Sequence, residues 1–175
     1  VLLSVPTFTN KGRMGTLINE VEIDDSKKWR KKHLSSIEQS YRNSPYYDDI
    51  YPHIKSIISS DITNLSELNI KIIKLFASML SLDTKFHIAS HIENSAQDKV
   101  KRLVDFCKIQ QCNSYYSPAG SLDYLDKVEN KILFDSADID IYFQQFEIIP
   151  YPQRQQEFMP YISALDALMY CGAKE

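Results

Sequence analysis

One stretch, Asn113-Ser-Tyr-Tyr-Ser-Pro-Ala-Gly-Ser-Leu-Asp-Tyr-Leu125, has the residue order of a strand, a tight turn and the start of a helix. A β-prone run ends at Tyr116, and small residues up to Gly120 then favour a turn. Ser121 is suited to cap a helix whose first turn contains Asp123, where a carboxylate complements the helix dipole. Such a turn either presents N–H groups to a ligand or is a plain strand-to-helix connection, and the sequence leaves both interpretations open.

Helices and strands alternate around this stretch. From Leu65 onward the periodicity predicts a helix, strand, helix, strand, helix, strand and helix in turn. This order is typical of parallel strands joined by right-handed crossovers, with helices on the sheet faces. We therefore predict an α/β fold with a Rossmann-like, mainly parallel sheet. The predicted elements beside the central stretch are helices over Leu65–Leu80 and Asp98–Gln111, strands over Lys85–Ala89 and Ile139–Phe143, and a closing helix that starts with the capping box Ser163-Ala-Leu-Asp166 and ends at Gly172.

The N-terminal part predicts a hairpin followed by a helical segment. Val1–Val5 and Leu17–Ile23 have strand-like patterns, and a helix is expected from Asp24 to about Arg42. Lysine and arginine side chains crowd the first turns of that helix, where cations oppose the helix dipole. The crowding indicates either an anion site or a solubilising face.

The composition predicts one domain with a real core. The chain has 175 residues, 43% of them hydrophobic, and a net charge of −3, which argues against a general role in binding nucleic acids or membrane surfaces. Three cysteines without metal-site or paired spacing indicate reduced thiols in a cytoplasmic protein. No apolar run has membrane-spanning length. Because the chain opens with Val1 inside an apolar run, we expect it to lack an upstream segment.

Asn69 and His91 are two further candidate site residues. Asn69 lies beside the apolar stripe of its helix, and a buried Asn needs hydrogen-bond partners in the core or on a ligand. His91 follows the predicted strand Lys85–Ala89, so we expect it at the same sheet edge as Ser117–Gly120. The four-residue spacing of His87 and His91 does not predict a metal site, because the helical rule for such pairs does not apply to a strand and its loop.

The order of several motifs resembles the WbqC-like family of bacterial polysaccharide-cluster proteins over nearly the whole chain. One departure is Pro118, where the family usually has Gly. The matching segments are Ile18-Asn-Glu-Val-Glu-Ile-Asp24, Trp29-Arg-Lys-Lys-His33, Pro45-Tyr46, Ser66-Glu-Leu-Asn-Ile70, Tyr115–Ser117 with Gly120 and Asp123–Leu125, Tyr151-Pro-Gln153, and Phe158-x-Pro160 with Ser163, Asp166 and Gly172.

The resemblance implies a role in the synthesis of O-antigen and related surface glycans. Family members usually carry a His-Gln-Pro-Asn-Tyr-like motif after a first strand, which this sequence lacks, and its absence agrees with a missing N-terminal segment. The implied activity is a transferase, for example one that adds a glycyl or other acyl group to a sugar. Two alternatives stay open: a non-catalytic sugar-nucleotide-binding or assembly subunit of the glycan-synthesis machinery, and a nucleotidylyltransferase-like enzyme.

The transferase hypothesis assigns roles to named residues. The substrate is a small molecule, an activated sugar or acyl donor, and no cofactor follows from the residues or from the resemblance. Asn69 joins the candidates as the polar exception on its helix. Ser117, Gly120 and Ser121 would hold an anionic or hydroxyl group, Arg30, Lys32 and His33 would neutralise a phosphate or carboxylate, His33 or His91 would act as a base, and Asp123, Tyr124 and Gln153 would orient sugar hydroxyls.

Overall fold

The computed structural model is a mixed α/β structure and describes residues 2–8, 15–155 and 157–173. Its contacts divide the chain into two compact units, residues 1–85 with 149–175 and residues 86–148. The helices are α1 (Trp29–Tyr41), α2 (Tyr47–Ile58), α3 (Leu65–Met79), α4 (Lys99–Ile109), α5 (Leu122–Leu125), α6 (Val128–Asp135) and α7 (Ala164–Cys171). The strands are β1 (Thr7–Phe8), β2 (Glu22–Ile23), β3 (Ser114–Ser117) and β4 (Asp140–Phe143), and 3₁₀ turns cover Ile18–Glu20, Asp25–Lys27, Ala89–His91 and Ala119–Ser121.

The first unit packs α1, α2, α3 and α7 around one core. The helix predicted from Asp24 begins only at Trp29, and its buried residues Trp29, His33 and Ile37 recur at helical spacing. The predicted stripe of α3 faces the same core, and Asn64 caps the helix by accepting the amide of Glu67 at 3.0 Å. The buried members of this core are Ile23, Trp29, Ile37, Ile50, Ile54, Ile58, Ile62, Leu68, Leu168 and Met169.

The second unit builds its core from α4, α5, α6 and the sheet face of β3 and β4. Asp98 caps α4 by accepting the amides of Val100 and Lys101. The strands β3 and β4 are confirmed and pair in parallel, with Tyr116 opposite Tyr142. The buried members of this core are Val100, Val104, Cys107, Leu125, Phe134 and Ile139.

The mixed α/β class is confirmed. The Rossmann-like, mainly parallel sheet is not confirmed, because the described strands form two small sheets. One is the parallel pair β3–β4, and the other is the antiparallel pair β1–β2. The alternation of apolar patterns predicts the order of strands and helices along the chain. It does not predict the number of strands in a sheet, because that number depends on which strands pair.

The first predicted strand, Val1–Val5, differs from the structure. Val1 lies outside the described residues, and residues 2–5 form no strand. Among the described residues, Thr7–Phe8 pairs with Glu22–Ile23, so the expected N-terminal hairpin is reduced to these two short strands. Leu2 is 91% exposed, which shows that an apolar run without a pairing partner does not become a strand.

The prediction for Leu17–Ile23 is correct only at its end. Ile18–Glu20 is a 3₁₀ turn, and the strand is limited to Glu22–Ile23. Leu17 is exposed, whereas Val21 and Ile23, which would share its face in a strand, are buried. The alternation therefore has no continuous buried face to support a longer strand.

The strand predicted over Lys85–Ala89 is wrong. Residues 82–88 form no helix or strand, and Ala89–His91 is a 3₁₀ turn. Phe86 is 43% exposed, so this run lacks the buried face that a strand needs. His91 therefore does not follow a strand, and no shared sheet edge places it beside Ser117–Gly120.

Candidate functional site

The predicted binding turn begins at a buried hydroxyl. Ser117 ends β3 at 1% exposure, and its Oγ has no hydrogen-bond partner among the residues that the structure describes. Burial raises the pKa of the Tyr115 phenol on the same side of the strand. Ser117 therefore faces the core of its unit, whereas Gly120 and Asp123 are exposed.

The amides of this turn are partly used within it. The N–H of Ser121 donates to the carbonyl of Pro118 at 2.9 Å, and that of Leu122 donates to Ala119. The prediction that Ser121 caps a helix with its side chain is wrong. Ser121 already has helical angles, φ −88° and ψ −8°, because the helical turn begins at Ala119, and it makes no capping bond. A side-chain cap requires an extended residue in front of the helix.

Three other predicted residues lie on different elements. Asn69 is exposed on α3, so the condition that made it a candidate, burial without a partner, does not arise. His91 is exposed in its 3₁₀ turn. Tyr124 packs against the core of the second unit and has the ammonium of Lys99 3.7 Å from its ring centre.

Arg30 makes contacts that join α1 to the end of α2. Its Nε and Nη2 donate to the two carboxylate oxygens of Asp25 at 2.9 and 3.1 Å. Its Nη1 donates to the carbonyl of Ile58 at 2.8 Å, and Nη2 donates to that of Ile62 at 2.6 Å. These contacts use most of the five N–H groups of a guanidinium, and the side chain also lies against the Trp29 ring.

Lys32 and His33 line one cavity, as the sequence-based hypothesis requires. The cavity has a volume of about 260 Å³. Lys32 is exposed at its edge, and the imidazole of His33 is buried and meets the Trp29 ring edge-on at 5.0 Å. The lining residues are Ser4, Pro6, Lys27, Trp29, Lys32 and His33.

The protonation state of His33 follows from its neighbours. Burial lowers the pKa of the imidazole from its usual 6.5, and the hydrogen bond to Ser4 opposes that effect. The Nε2 atom lies 3.2 Å from the carbonyl oxygen of Ser4. Because a carbonyl can only accept, we assign the proton to Nε2, which leaves Nδ1 with a lone pair at neutral pH.

Gln153 fastens the segment that precedes α7. Its Nε2 donates to the carbonyl of Met159 at 3.0 Å, and its Oε1 accepts the amide of Met159 at 2.8 Å. The same Nε2 also lies 3.2 Å from Oδ2 of Asp166. Gln153 thus ties its own position to Met159 and to Asp166 in the first turn of α7.

Asp166 does not act as the predicted side-chain cap. Ser163 caps α7 by accepting the amide of Leu165 at 3.2 Å, and the carboxylate of Asp166 instead accepts from Tyr151 at 3.0 Å and from Gln153. The side chain is 6% exposed. The predicted capping box is therefore correct for Ser163 and wrong for Asp166. The spacing could not reveal the partners of Asp166, because they lie 15 and 13 residues earlier in the chain.

Asp166 lines a second cavity that sequence reasoning missed. This cavity has a volume of about 250 Å³. The strongest clue to it was that Tyr151-Pro-Gln153 and Asp166 belong to the matching family motifs. Its lining residues are Ser40, Tyr41, Gln153, Arg154, Gln155, Met159, Ile162, Asp166 and Tyr170.

Apart from Asn69, His91 and Tyr124, the predicted residues fall into three groups. Arg30, Lys32 and His33 follow one another on α1, and Gln153 belongs to the Asp166 cavity of the same unit. The turn Ser117–Asp123 belongs to the other unit.

Among the described residues there is no group of three His, Cys, Asp or Glu side chains arranged to hold a metal ion. Within the same residues, no helix combines the length and the apolar content that a membrane crossing requires.

Comparison with known proteins yields one match. The model of the WbqC-like protein family matches residues 1–175, the full length of the chain. No curated protein and no solved structure matches it.

Proposed function

Because the chain belongs to the WbqC-like protein family, we propose that it is a transferase of bacterial surface polysaccharide (O-antigen) biosynthesis. It moves a glycyl or other acyl group from an activated donor to a sugar hydroxyl. The observation that carries this proposal is the cavity where a neutral His33 lies beside two lysines. A base and cations around one cavity suit a hydroxyl acceptor and an anionic donor.

In the proposed reaction, Nδ1 of His33 accepts the proton of the acceptor hydroxyl. The hydroxyl oxygen forms a bond to the donor's carbonyl carbon, and the bond between that carbon and the leaving group breaks. The leaving group departs with the electron pair. Lys27 and Lys32 attract the anionic part of the donor and stabilise negative charge as it develops. The uncharged imidazole supports this role, because a base must be unprotonated before the reaction.

The turn Gly120–Asp123 and Arg30 do not line the His33 cavity, and each has a separate role in the proposal. The exposed turn Gly120–Asp123 is a proposed hydroxyl-binding element of its own unit. The contacts of Arg30 with Asp25 and two carbonyls favour a structural role for it. A cytoplasmic location belongs to the proposal too, and the three unpaired cysteines support it.

The decisive experiment measures turnover by the full chain. The protein is incubated with sugar nucleotides as acceptors and with acyl or aminoacyl thioesters as donors, and products are detected by mass spectrometry. His33→Gln should reduce kcat by roughly 10²-fold to 10⁴-fold, as expected for loss of a general base. Lys32→Gln should mainly raise KM for an anionic donor. Lys31→Gln is the matched control, because Lys31 is exposed and does not line the cavity.

Two results would contradict the proposal. Binding of sugar nucleotides without any turnover would favour the non-catalytic subunit. Release of pyrophosphate would favour nucleotidylyl transfer, which the parallel pair β3–β4 makes the second candidate, because parallel strands joined by helices are the building unit of Rossmann-like folds.

A further inference from the structure

The Asp166 carboxylate carries charge that the described part of the chain does not neutralise. It is 6% exposed, and no described Lys, Arg or His forms an ion pair with it. The Tyr151 hydroxyl and the Gln153 amide, both uncharged, donate to Oδ2, and the Tyr41 hydroxyl is a further uncharged hydrogen-bond partner. A carboxylate offers roughly four acceptor positions, so it retains capacity for another donor. A buried charge without a counter-ion is unfavourable, and a cationic ligand would relieve it.

Tyrosine rings surround this carboxylate. Tyr41 and Tyr170 line the cavity with Asp166, and Tyr151 donates to it. Burial raises the pKa of Tyr41, and its hydrogen bond to Asp166 and the charge of that carboxylate raise it further. Phenols with a raised pKa stay uncharged and present ring faces and hydroxyl groups to a ligand. A carboxylate among aromatic rings is a favourable environment for an ammonium group.

Arg154 provides the opposite charge at the same cavity. It is exposed, and it forms no hydrogen bond or ion pair with the residues that the structure describes. It opposes the rise in the pKa of Tyr170 that burial and Asp166 cause, so Tyr170 senses both charges. An adjoining cavity of about 290 Å³ shares Ser40, Arg154 and Tyr170 with the first. The two cavities thus give a small ligand room to contact the buried carboxylate and the arginine.

We propose that this cavity binds a small molecule that carries both an ammonium and an anionic group, with the ammonium on Asp166 and the anion on Arg154. An amino acid and a phosphorylated amino sugar both have this chemistry. The inference is independent of the transferase proposal, because it concerns different residues and is tested by binding without turnover. A transferase would gain from it a second substrate site, distinct from the His33 cavity.

The test measures the binding of two matched pairs of probes to the full chain by NMR titration. Glycine is compared with glycolate, and glucosamine 6-phosphate is compared with glucose 6-phosphate. Within each pair the anion is kept and the ammonium is replaced by a hydroxyl. In at least one pair, the ammonium compound should bind at least about tenfold more tightly, since a hydrogen bond between charged groups exceeds a neutral one by that order. The preferred pair identifies which source of the chemistry fits.

Variants separate the two charges. Asp166→Asn should abolish the preference for the ammonium compound, and Arg154→Gln should weaken both members of the pair. Asp61→Asn and Arg42→Gln are matched controls, because both residues are exposed and line neither cavity. Chemical denaturation of each variant shows whether it folds. If Asp166→Asn does not fold, the proposed site is still tested by the comparison of probes on the wild-type protein and by the Arg154→Gln variant, whose substituted residue is exposed.

The inference is overturned if neither pair shows a preference for the ammonium compound. It is equally overturned if a folded Asp166→Asn variant keeps the preference, or if Arg154→Gln binds the preferred probe as tightly as Arg42→Gln. None of these results alters the expected effect of His33→Gln on turnover, so the two proposals fail separately.

Discussion

The hydroxyl of Tyr151 donates a hydrogen bond of 3.0 Å to Oδ2 of Asp166. The bond joins the segment before α7 to the first turn of that helix, and the Gln153 amide reaches the same oxygen. The pair therefore both positions a cavity wall and stabilises the fold.

Tyr151→Phe should lower the free energy of unfolding by roughly 1–3 kcal/mol, because the variant removes a hydrogen bond to a buried carboxylate. Denaturation by urea measures the change. Tyr161→Phe is the control, since Tyr161 is 89% exposed and its substitution should stay within about 0.5 kcal/mol of wild type. Equal stability of both variants would show that the Tyr151 hydroxyl contributes nothing.

Arg30→Ala should cost roughly 1–3 kcal/mol of unfolding free energy, because the carbonyls of Ile58 and Ile62 lose a charged donor. Asp25→Asn should cost less, at most about 1 kcal/mol, because Asp25 is 46% exposed and solvent screens the pair. Both values come from urea denaturation. A larger loss in Asp25→Asn than in Arg30→Ala would show that the ion pair, and not the carbonyl contacts, holds α1 to α2.

Substitution by alanine should destabilise the protein at Gly172 but not at Gly120. Gly172 has φ 81° and ψ 173°, and an added Cβ would lie 2.7 Å from Cε1 of Tyr46, so Gly172→Ala should cost roughly 1–3 kcal/mol. Gly120 has open space where an added methyl group would lie and no positive φ, so Gly120→Ala should leave stability within about 1 kcal/mol of wild type. Thermal unfolding of both variants compares them, and a destabilised Gly120→Ala would contradict the open turn.

Stability should fall as the pH drops below about 6.5, the ordinary pKa of histidine. The pKa of His33 is lowered in the folded state, so the unfolded chain binds a proton first and protonation favours unfolding. Because Lys27 and Lys32 line the same cavity, a charged imidazole would also meet like charges. His33→Gln should flatten this dependence between pH 7.5 and 5, values chosen as about one unit or more on either side of the usual pKa. His53→Gln, at an exposed position, should not, and equal slopes in the two variants would contradict the assignment.

Sequence periodicity predicted the parts of the fold that depend on neighbouring residues. The stripes of α1 and α3 recur at helical spacing, and the alternation before Phe143 was sufficient for β4. The apolar runs at residues 2–5 and 85–88 have similar local patterns but no partner strand in the part of the chain that the structure describes. Pairing is a property that a single run does not contain.

The candidate site was predictable only where its residues are close in sequence. Lys32 and His33 are adjacent, and they do line one cavity. Asp166 was assigned to a cap because Ser163 is three residues away, whereas its hydrogen bonds come from Tyr151 and Gln153. Those contacts depend on how the segment before α7 folds back, which spacing alone does not reveal.

The most direct test of the central claim is an NMR titration of the His33 ring in the full chain, with and without pyrophosphate as an anionic probe. We predict a pKa below 6.5 for free His33, a rise in that pKa when the probe binds near Lys27 and Lys32, and a weaker response in Lys32→Gln. A His33 pKa at or above 6.5 in the free protein, or a resonance unchanged by pyrophosphate, would contradict the claim that this cavity holds a base beside an anion site.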